Sequence, residues 1–191
     1  MNQEQLVSAL KSQDPGAVEE LVSLYGDRLL RSAFMLCGND TDAQDMVQET
    51  LLGAIHSVHR FQQRSSVYTW LYSILLNTSR HHHRKQKRII YDNNAGAEET
   101  IPAGENVSPL DAGVAASALQ EILGALSHAH RQVITLRYYE DMKIHEIARR
   151  LGLSKGTVKS RLHYAIGEIR KRLPGELNLF GAAGTEKMQT Q

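Results

Sequence analysis

A single cysteine, Cys37, leaves these 191 residues without an internal disulfide framework and fits a reducing compartment. Aromatic side chains are scarce at 6%, while charged ones reach 23%, the composition of a mostly helical, soluble protein. No window of about 18 consecutive apolar residues occurs, so no membrane insertion is expected. The opening MNQEQLVSALKSQDPG lacks the basic and apolar regions of a signal peptide, which points to the cytoplasm. There is no internal repeat, no Walker loop, no nucleophile elbow and no paired-histidine metal motif. An enzyme is therefore not expected, and neither a cofactor nor a metal is called for. The length allows one domain or two small ones.

Net charge is also nearly missing, at +1, but the total conceals strong blocks. Residues 1–58 carry −6, residues 59–90 carry +7, residues 91–142 carry −6 and residues 143–172 carry +7. Two separate basic surfaces on a neutral chain suggest two contacts with a polyanion, and nucleic acid is the better reading than two solvated helical faces.

Apolar spacing predicts three long helices in the first half. AVEELVSLYGDRLLRSAFMLC (17–37) is the first and is broken by GND. TDAQDMVQETLLGAIHSVHRF (41–61) is the second, with Thr41 or Asp42 as N-cap and Ala43, Met46, Val47, Leu51, Ala54, Ile55 and Val58 on its apolar face. VYTWLYSILLNTSRHHHRKQKR (67–88) is the third, apolar at first and strongly basic at its end. Residues 91–113 are polar, rich in Gly and Pro, and carry five carboxylates and no basic side chain, which reads as a flexible acidic linker. Helical patterning resumes at 115–126 and again at 127–139, with Val133, Ile134, Leu136 and Tyr138 as core candidates. The fold class expected is all-α: two small helical domains (1–90 and 114–175), the linker 91–113 between them, and a disordered tail at 176–191.

The stretch IHEIARRLGLSKGTVKSRL (144–162) reads as two helices around a glycine turn. Ile144, Ile147, Ala148 and Leu151 share one face, and Ala148 is small enough for a crossing helix. Gly152 suits the left-handed position past a helix end, and Ser154 is a good N-cap for the next helix. Val158, Leu162, Ile166, Ile169 and Leu173 form a buried stripe, with Lys155, Lys159, Ser160 and His163 opposite. This is a helix-turn-helix pattern, favoured over an ordinary helical hairpin by the conjunction of Ala148, Gly152, Ser154 and the basic face. Its second helix is suited to the major groove, where Lys and Arg contact phosphates or guanine edges.

The segment LRYYEDMKIHEIARRLGLSKGTVKSRLHYAIGEIRKRL resembles the C-terminal DNA-binding domain of bacterial sigma factors of the extracytoplasmic-function (ECF) group. DAQDMVQETLLGAIHSVHRF and VYTWLYSILLNTSRHHHR resemble that group's core-binding and promoter-melting domain. The resemblance runs over roughly residues 15–173, in the same order of halves. It implies that Asp45, Gln48 and Glu49 dock on the clamp helices of core RNA polymerase. A solvated helix N-terminus, favoured by the dipole, accounts for Asp45 but not for the others. It implies that Phe61, Arg64, Ser65, Ser66, Tyr68, Trp70 and Asn77 receive the −10 promoter element, with Trp70 open to a core role as well. Arg80, Arg84 and Lys85 would hold backbone phosphates there. It implies −35 recognition by Thr157, Lys159, Ser160, Arg161, His163 and Tyr164, with Arg149, Arg150 and Lys155 on phosphates. The acidic linker would thread the basic RNA path near the polymerase active site. An anti-sigma factor, often membrane-anchored in this group, would keep the factor silent.

The chain departs from the group at Leu75 and Leu76, near His81, and at Leu126–Ser127, so promoter preference does not carry over. Consecutive helical residues point about 100° apart, so His81, His82 and His83 do not converge on one ion, and an edge of the DNA face suits them better. Other readings are a two-domain repressor or activator that binds DNA alone, and an adaptor whose basic helices bind acidic proteins. Promoter-specific initiation on core polymerase separates the three.

Overall fold

Short polar caps set the helix starts. The computed structural model describes residues 2–93 and 114–172, with side chains for 2–88 and 119–172. The linker 94–113 and the tail from 173 onward lie outside the described residues, and with them the expectations for linker flexibility, linker path and tail disorder. Helix α1 (Gln3–Lys11), too short to show a clear period, is capped by Asn2, which accepts from the Gln5 N–H while Gln5 Oε1 accepts from the Asn2 N–H. It buries Leu6, Val7 and Leu10. Helix α2 (Pro15–Cys37) starts at Asp14, with Pro15 at the first position, where a missing N–H costs nothing. It stops at Gly38, whose φ of 88° is left-handed and whose N–H donates to the Phe34 carbonyl.

Helix α3 (Asp40–Ser57) is capped by Asn39, not by Thr41 or Asp42. The Asn39 side chain accepts from the Asp42 N–H, so the helix begins two residues earlier and Asp40 and Asp42 occupy its positive first turn. A 3-10 turn (Val58–Arg60) and a loop lead to α4 (Val67–Asn93), whose N–H at Thr69 is capped by Ser66 Oγ at 3.1 Å. Helices α2, α3 and α4 enclose Leu21, Leu29, Phe34, Met46, Leu71 and Leu75.

The second half contains α5 (Val114–Gly124), α6 (His128–Ile134), α7 (Ile144–Leu151) and α8 (Lys155–Arg172). The helix expected through 139 widens after Ile134 into a π turn (Thr135–Tyr139), closed by the Glu140 N–H on the Thr135 carbonyl at 3.0 Å. Thr135 Oγ1 donates back to the Arg131 carbonyl at 2.8 Å, the local competition that loosens this turn. The wider turn leaves Tyr138 exposed, where a regular helix would bury it with Val133, Ile134 and Leu136.

Among the described residues every regular element is a helix, the all-α class read from the periodicity. The two halves are also in contact: α6 and the π turn lie on α2, and the apolar core is continuous from Leu6 to Ile169. Gly38 makes the closest approach possible. A Cβ there would stand 2.8 Å from Arg131 Nη1, and that guanidinium donates to the Leu123 carbonyl at 3.1 Å.

Candidate nucleic-acid interface

Helices α7 and α8 cross where the small Ala148 is buried. Gly152, at φ 68° and ψ 36°, turns the chain, and the Leu153 N–H returns to the Ala148 carbonyl. Ser154 Oγ then accepts from the Thr157 N–H at 3.0 Å and starts α8. Val158, Leu162, Ala165, Ile166 and Ile169 face the core. Lys155, Lys159, Ser160, His163 and Tyr164 face solvent, and Tyr164 is 65% exposed. Thr157 and Arg161 lie at the margin of this surface, and Arg149 is exposed at the end of α7. Arg150 is drawn inward. Its Nη1 donates to the Thr69 carbonyl at 3.4 Å, and its guanidinium stands 5.8 Å from the Tyr72 ring. A phosphate contact from Arg150 would require that packing to break.

On the first domain, Arg64, Ser66 and Asn77 are exposed and Ser65 is half-buried. Phe61 is a correction. Its side chain is 6% exposed beneath Trp70, with ring centroids 4.5 Å apart, so its apolar ring is spent on packing and offers no face to a base. Trp70 keeps one partly open side, which leaves both of its expected roles in place. Arg80 Nη1 donates to Asn77 Oδ1 at 3.1 Å and Nη2 to the Arg150 carbonyl at 3.4 Å. Arg84 and Lys85 are exposed on the basic end of α4.

The three histidines diverge, as their 100° steps require, and only His81 is solvent-exposed. His82 Nε2 lies 3.7 Å from Asp42 Oδ1 on α3. His83 stacks on His128 of α6 at 4.4 Å, and His128 Nε2 pairs with Ser79 Oγ at 2.9 Å. The continuous DNA edge expected of the triplet is therefore reduced to His81. Burial, with repulsion from His83, Arg131 and Arg80, lowers the His128 pKa to about 3. Cys37 also borders this cluster, with burial raising its thiol to about 11.

Asp45, Gln48 and Glu49 lie exposed on α3, opposite the buried Ala43, Met46, Val47, Thr50 and Ala54. Leu52 continues their stripe and is 57% exposed. Sequence reasoning passed over it, although its seven-residue step from Asp45 was visible.

Tyr68, expected at the −10 surface, points instead at the second domain. Its hydroxyl donates to Glu140 Oε1 at 2.7 Å, and the Arg28 guanidinium lies 3.6 Å above its ring. Burial, then the bond to Glu140, pushes its pKa well above the ordinary tyrosine value and keeps the phenol a donor. Glu140 had no sequence signal. Its partners are 72 to 112 residues away.

Residues 21–89 match the family described as Sigma-70 region 2, and residues 122–171 match Sigma-70, region 4. A region 2 followed by a helix-turn-helix region 4 defines the sigma-70 class of transcription initiation factor. The chain is 28% identical over 176 residues to the ECF RNA polymerase sigma factor SigW of Bacillus subtilis, spanning 87% of this chain and 94% of that one. It is 34% identical over 147 residues to the B. subtilis RNA polymerase sigma factor SigV, spanning 76% and 84%. With the RNA polymerase sigma-E factor of Streptomyces coelicolor it shares 32% over 160 residues, 81% and 85% of the two chains. The chain belongs to the ECF group of the sigma-70 family. It is a sigma factor, a protein that directs transcription by RNA polymerase and binds core enzyme and promoter DNA; the family is not catalytic in itself. The fold also matches that of the sigma factor RpoE solved with the anti-sigma factor NepR from Bartonella quintana, at TM-score 0.65 and 24% identity over 83% of this chain and 97% of that one.

Proposed function

We propose that this sigma factor divides promoter reading between residues 1–90 and 114–175, docked on polymerase by Asp45, Gln48, Glu49 and Leu52. Arg64, Ser65, Ser66, Trp70 and Asn77 receive the −10 element, and Arg80, Arg84 and Lys85 hold its backbone, while Tyr68 is engaged by Glu140. Lys159, Ser160, His163 and Tyr164 read the −35 element from α8. Arg149, Lys155, Thr157 and Arg161 hold flanking phosphates. The observation that carries this division is α8 itself: five apolar side chains are buried and a polar, basic set faces out from one N-terminal half. Base edges are read by such a set, whereas phosphate contacts alone position without specifying.

Silencing falls to an anti-sigma partner, membrane-anchored, acting on a factor held in the cytoplasm. The family supports a partner of this kind, and one solved relative of the same fold is a complex with an anti-sigma factor. No helix of the described residues is long and apolar enough to cross a membrane.

The test is transcription in vitro with purified core polymerase. Addition of the chain should produce initiation at one promoter class and none without core enzyme. Tight binding to duplex promoter by the chain alone, with no initiation on core enzyme, would favour a repressor or activator instead.

A further inference from the structure

We propose that α1 is a brace for promoter reading: Gln3 and Lys11, at its two ends, hold the two ends of the loop before α4 and so fix the surface that receives the −10 bases. Both are positioning residues and touch no DNA themselves. This role rests on the −10 assignment of that loop and of α4.

The loop runs from Phe61 to Ser66, and little inside it keeps it in shape. Among the described residues, no backbone–backbone hydrogen bond engages residues 62–65. Gln62, Gln63 and Arg64 are exposed, and Gln63 takes a left-handed φ of 54°. A segment of this kind samples many shapes unless something outside it limits them, and capture of a base would then carry the cost of ordering it.

The two ends of the loop are where that limit acts. Gln3 Oε1 accepts from the Val67 N–H at 3.2 Å. Val67 opens α4, and its N–H is one of the four that a helix start leaves without an intrahelical partner. Ser66 Oγ serves the Thr69 N–H, so Gln3 completes the cap from another element. At the other end, Lys11 Nζ donates to the Phe61 carbonyl at 3.4 Å. The Phe61 ring stacks on Trp70, so this tether bears on the half-open aromatic as well. Gln3 and Lys11 are eight residues apart on α1, a span of about 12 Å along a helix. Leu6, Val7 and Leu10 seat that helix on the core. The distance between the loop ends is thus set by a rigid rod rather than by the loop.

Neither tether is needed to hold the fold together. Gln3 is exposed and Lys11 half-buried, and one bond from such a side chain is minor beside three buried apolar residues. Loss of either should leave α1 in place and release the loop.

The experiment compares Gln3→Leu, Lys11→Met and their double variant with Gln3→Glu and Lys11→Arg, which keep the acceptor and the donor. In the full chain without polymerase, Trp70 is the single tryptophan and reports on the loop. Acrylamide should quench its fluorescence at least twofold more readily in Lys11→Met and in the double variant, with circular dichroism and thermal midpoint as in the parent. Lys11→Met carries the test alone if Gln3→Leu folds poorly. In holoenzyme, the released variants should bind closed promoter with the parent's affinity, form open complexes at least fivefold more slowly, and discriminate less among −10 sequences. Gln3→Glu and Lys11→Arg should keep the parent's values. Parent-like quenching or parent-like open-complex formation in the double variant would overturn the brace. So would a loss of melting that follows the thermal midpoint, or one that is equal in the conservative variants. The −10 assignment is scored apart, by holoenzyme carrying Asn77→Ala; intact melting there removes the assignment, while the quenching result still decides whether α1 holds the loop.

Discussion

Phe61 and Trp70 lie face to face, centroids 4.5 Å apart and planes 17° from parallel, and so bind the loop before α4 to the first turns of that helix. The buried ring and the half-open ring have different tasks. Phe61→Ala removes a fully packed aromatic and should cost about 3–5 kcal/mol of stability. Phe61→Leu, which refills most of the space, should recover stability and promoter melting together. Urea unfolding paired with melting assays checks this. Melting that stays lost in a stable Phe61→Leu protein would return Phe61 to the DNA surface.

The polymerase face makes a cleaner separation. Glu49 is exposed on α3, so Glu49→Lys should leave folding stability within about 0.5 kcal/mol of the parent. It should nevertheless weaken assembly with core enzyme, since it reverses a charge on an acidic stripe. Leu52→Asp should do the same by placing a charge on the stripe's apolar end. Parent-like affinity for core polymerase in both variants would move the docking face elsewhere.

Gly38 is demanded twice, by its φ of 88° and by the Arg131 guanidinium beside it. Gly38→Ala should cost about 1–3 kcal/mol through backbone strain alone, with more if Arg131 is displaced from the Leu123 carbonyl. Thermal unfolding reads the loss. A neutral result would mean that α2 and α6 separate easily at this point.

The features legible in sequence were those enforced within a few residues. The stripe Val158–Leu162–Ile166–Ile169, the left-handed Gly152 and the Ser154 cap are local rules, and each lies where those rules place it. The start of α3 was missed by two residues because Asn39, Asp40, Thr41 and Asp42 are all competent caps, and packing chooses among them. The π turn was missed because its cause, the Thr135 back-bond, competes with a helix that the apolar spacing also favours. Glu140 and Arg28 were beyond reach for another reason: 112 residues separate them, and neither sits in a pattern that announces the other.

His128 makes the domain seam sensitive to acid. Its pKa falls from 6.5 to about 3 on folding, because burial and then His83, Arg131 and Arg80 oppose its charge. The unfolded chain therefore takes up a proton between pH 6.5 and 3 that the folded chain refuses. The stability contributed by neutral His128 is complete above 6.5 and is lost as pH falls through that window. His128→Gln, which can still bond Ser79, should flatten the fall in unfolding midpoint over this range. An unchanged slope would place the responsible proton on another group.

The exposed face of α8 predicts two kinds of mutant. Lys159 and Ser160 project from its N-terminal half, where base edges are in reach, while Val158 and Leu162 hold the helix from behind. Lys159→Ala or Ser160→Ala should cost about 1–3 kcal/mol at the preferred −35 sequence and relax discrimination there. Arg149 stands at the end of α7, outside that face, and is placed for phosphate. Arg149→Ala should weaken binding to all sequences alike and lower the salt slope by about one. Competition binding of holoenzyme to promoters with single-base changes, at two salt concentrations, separates the classes. If Lys159→Ala loses affinity uniformly and keeps the parent's ranking of sequences, α8 enters the groove at another angle, and Lys159 belongs with the phosphate contacts.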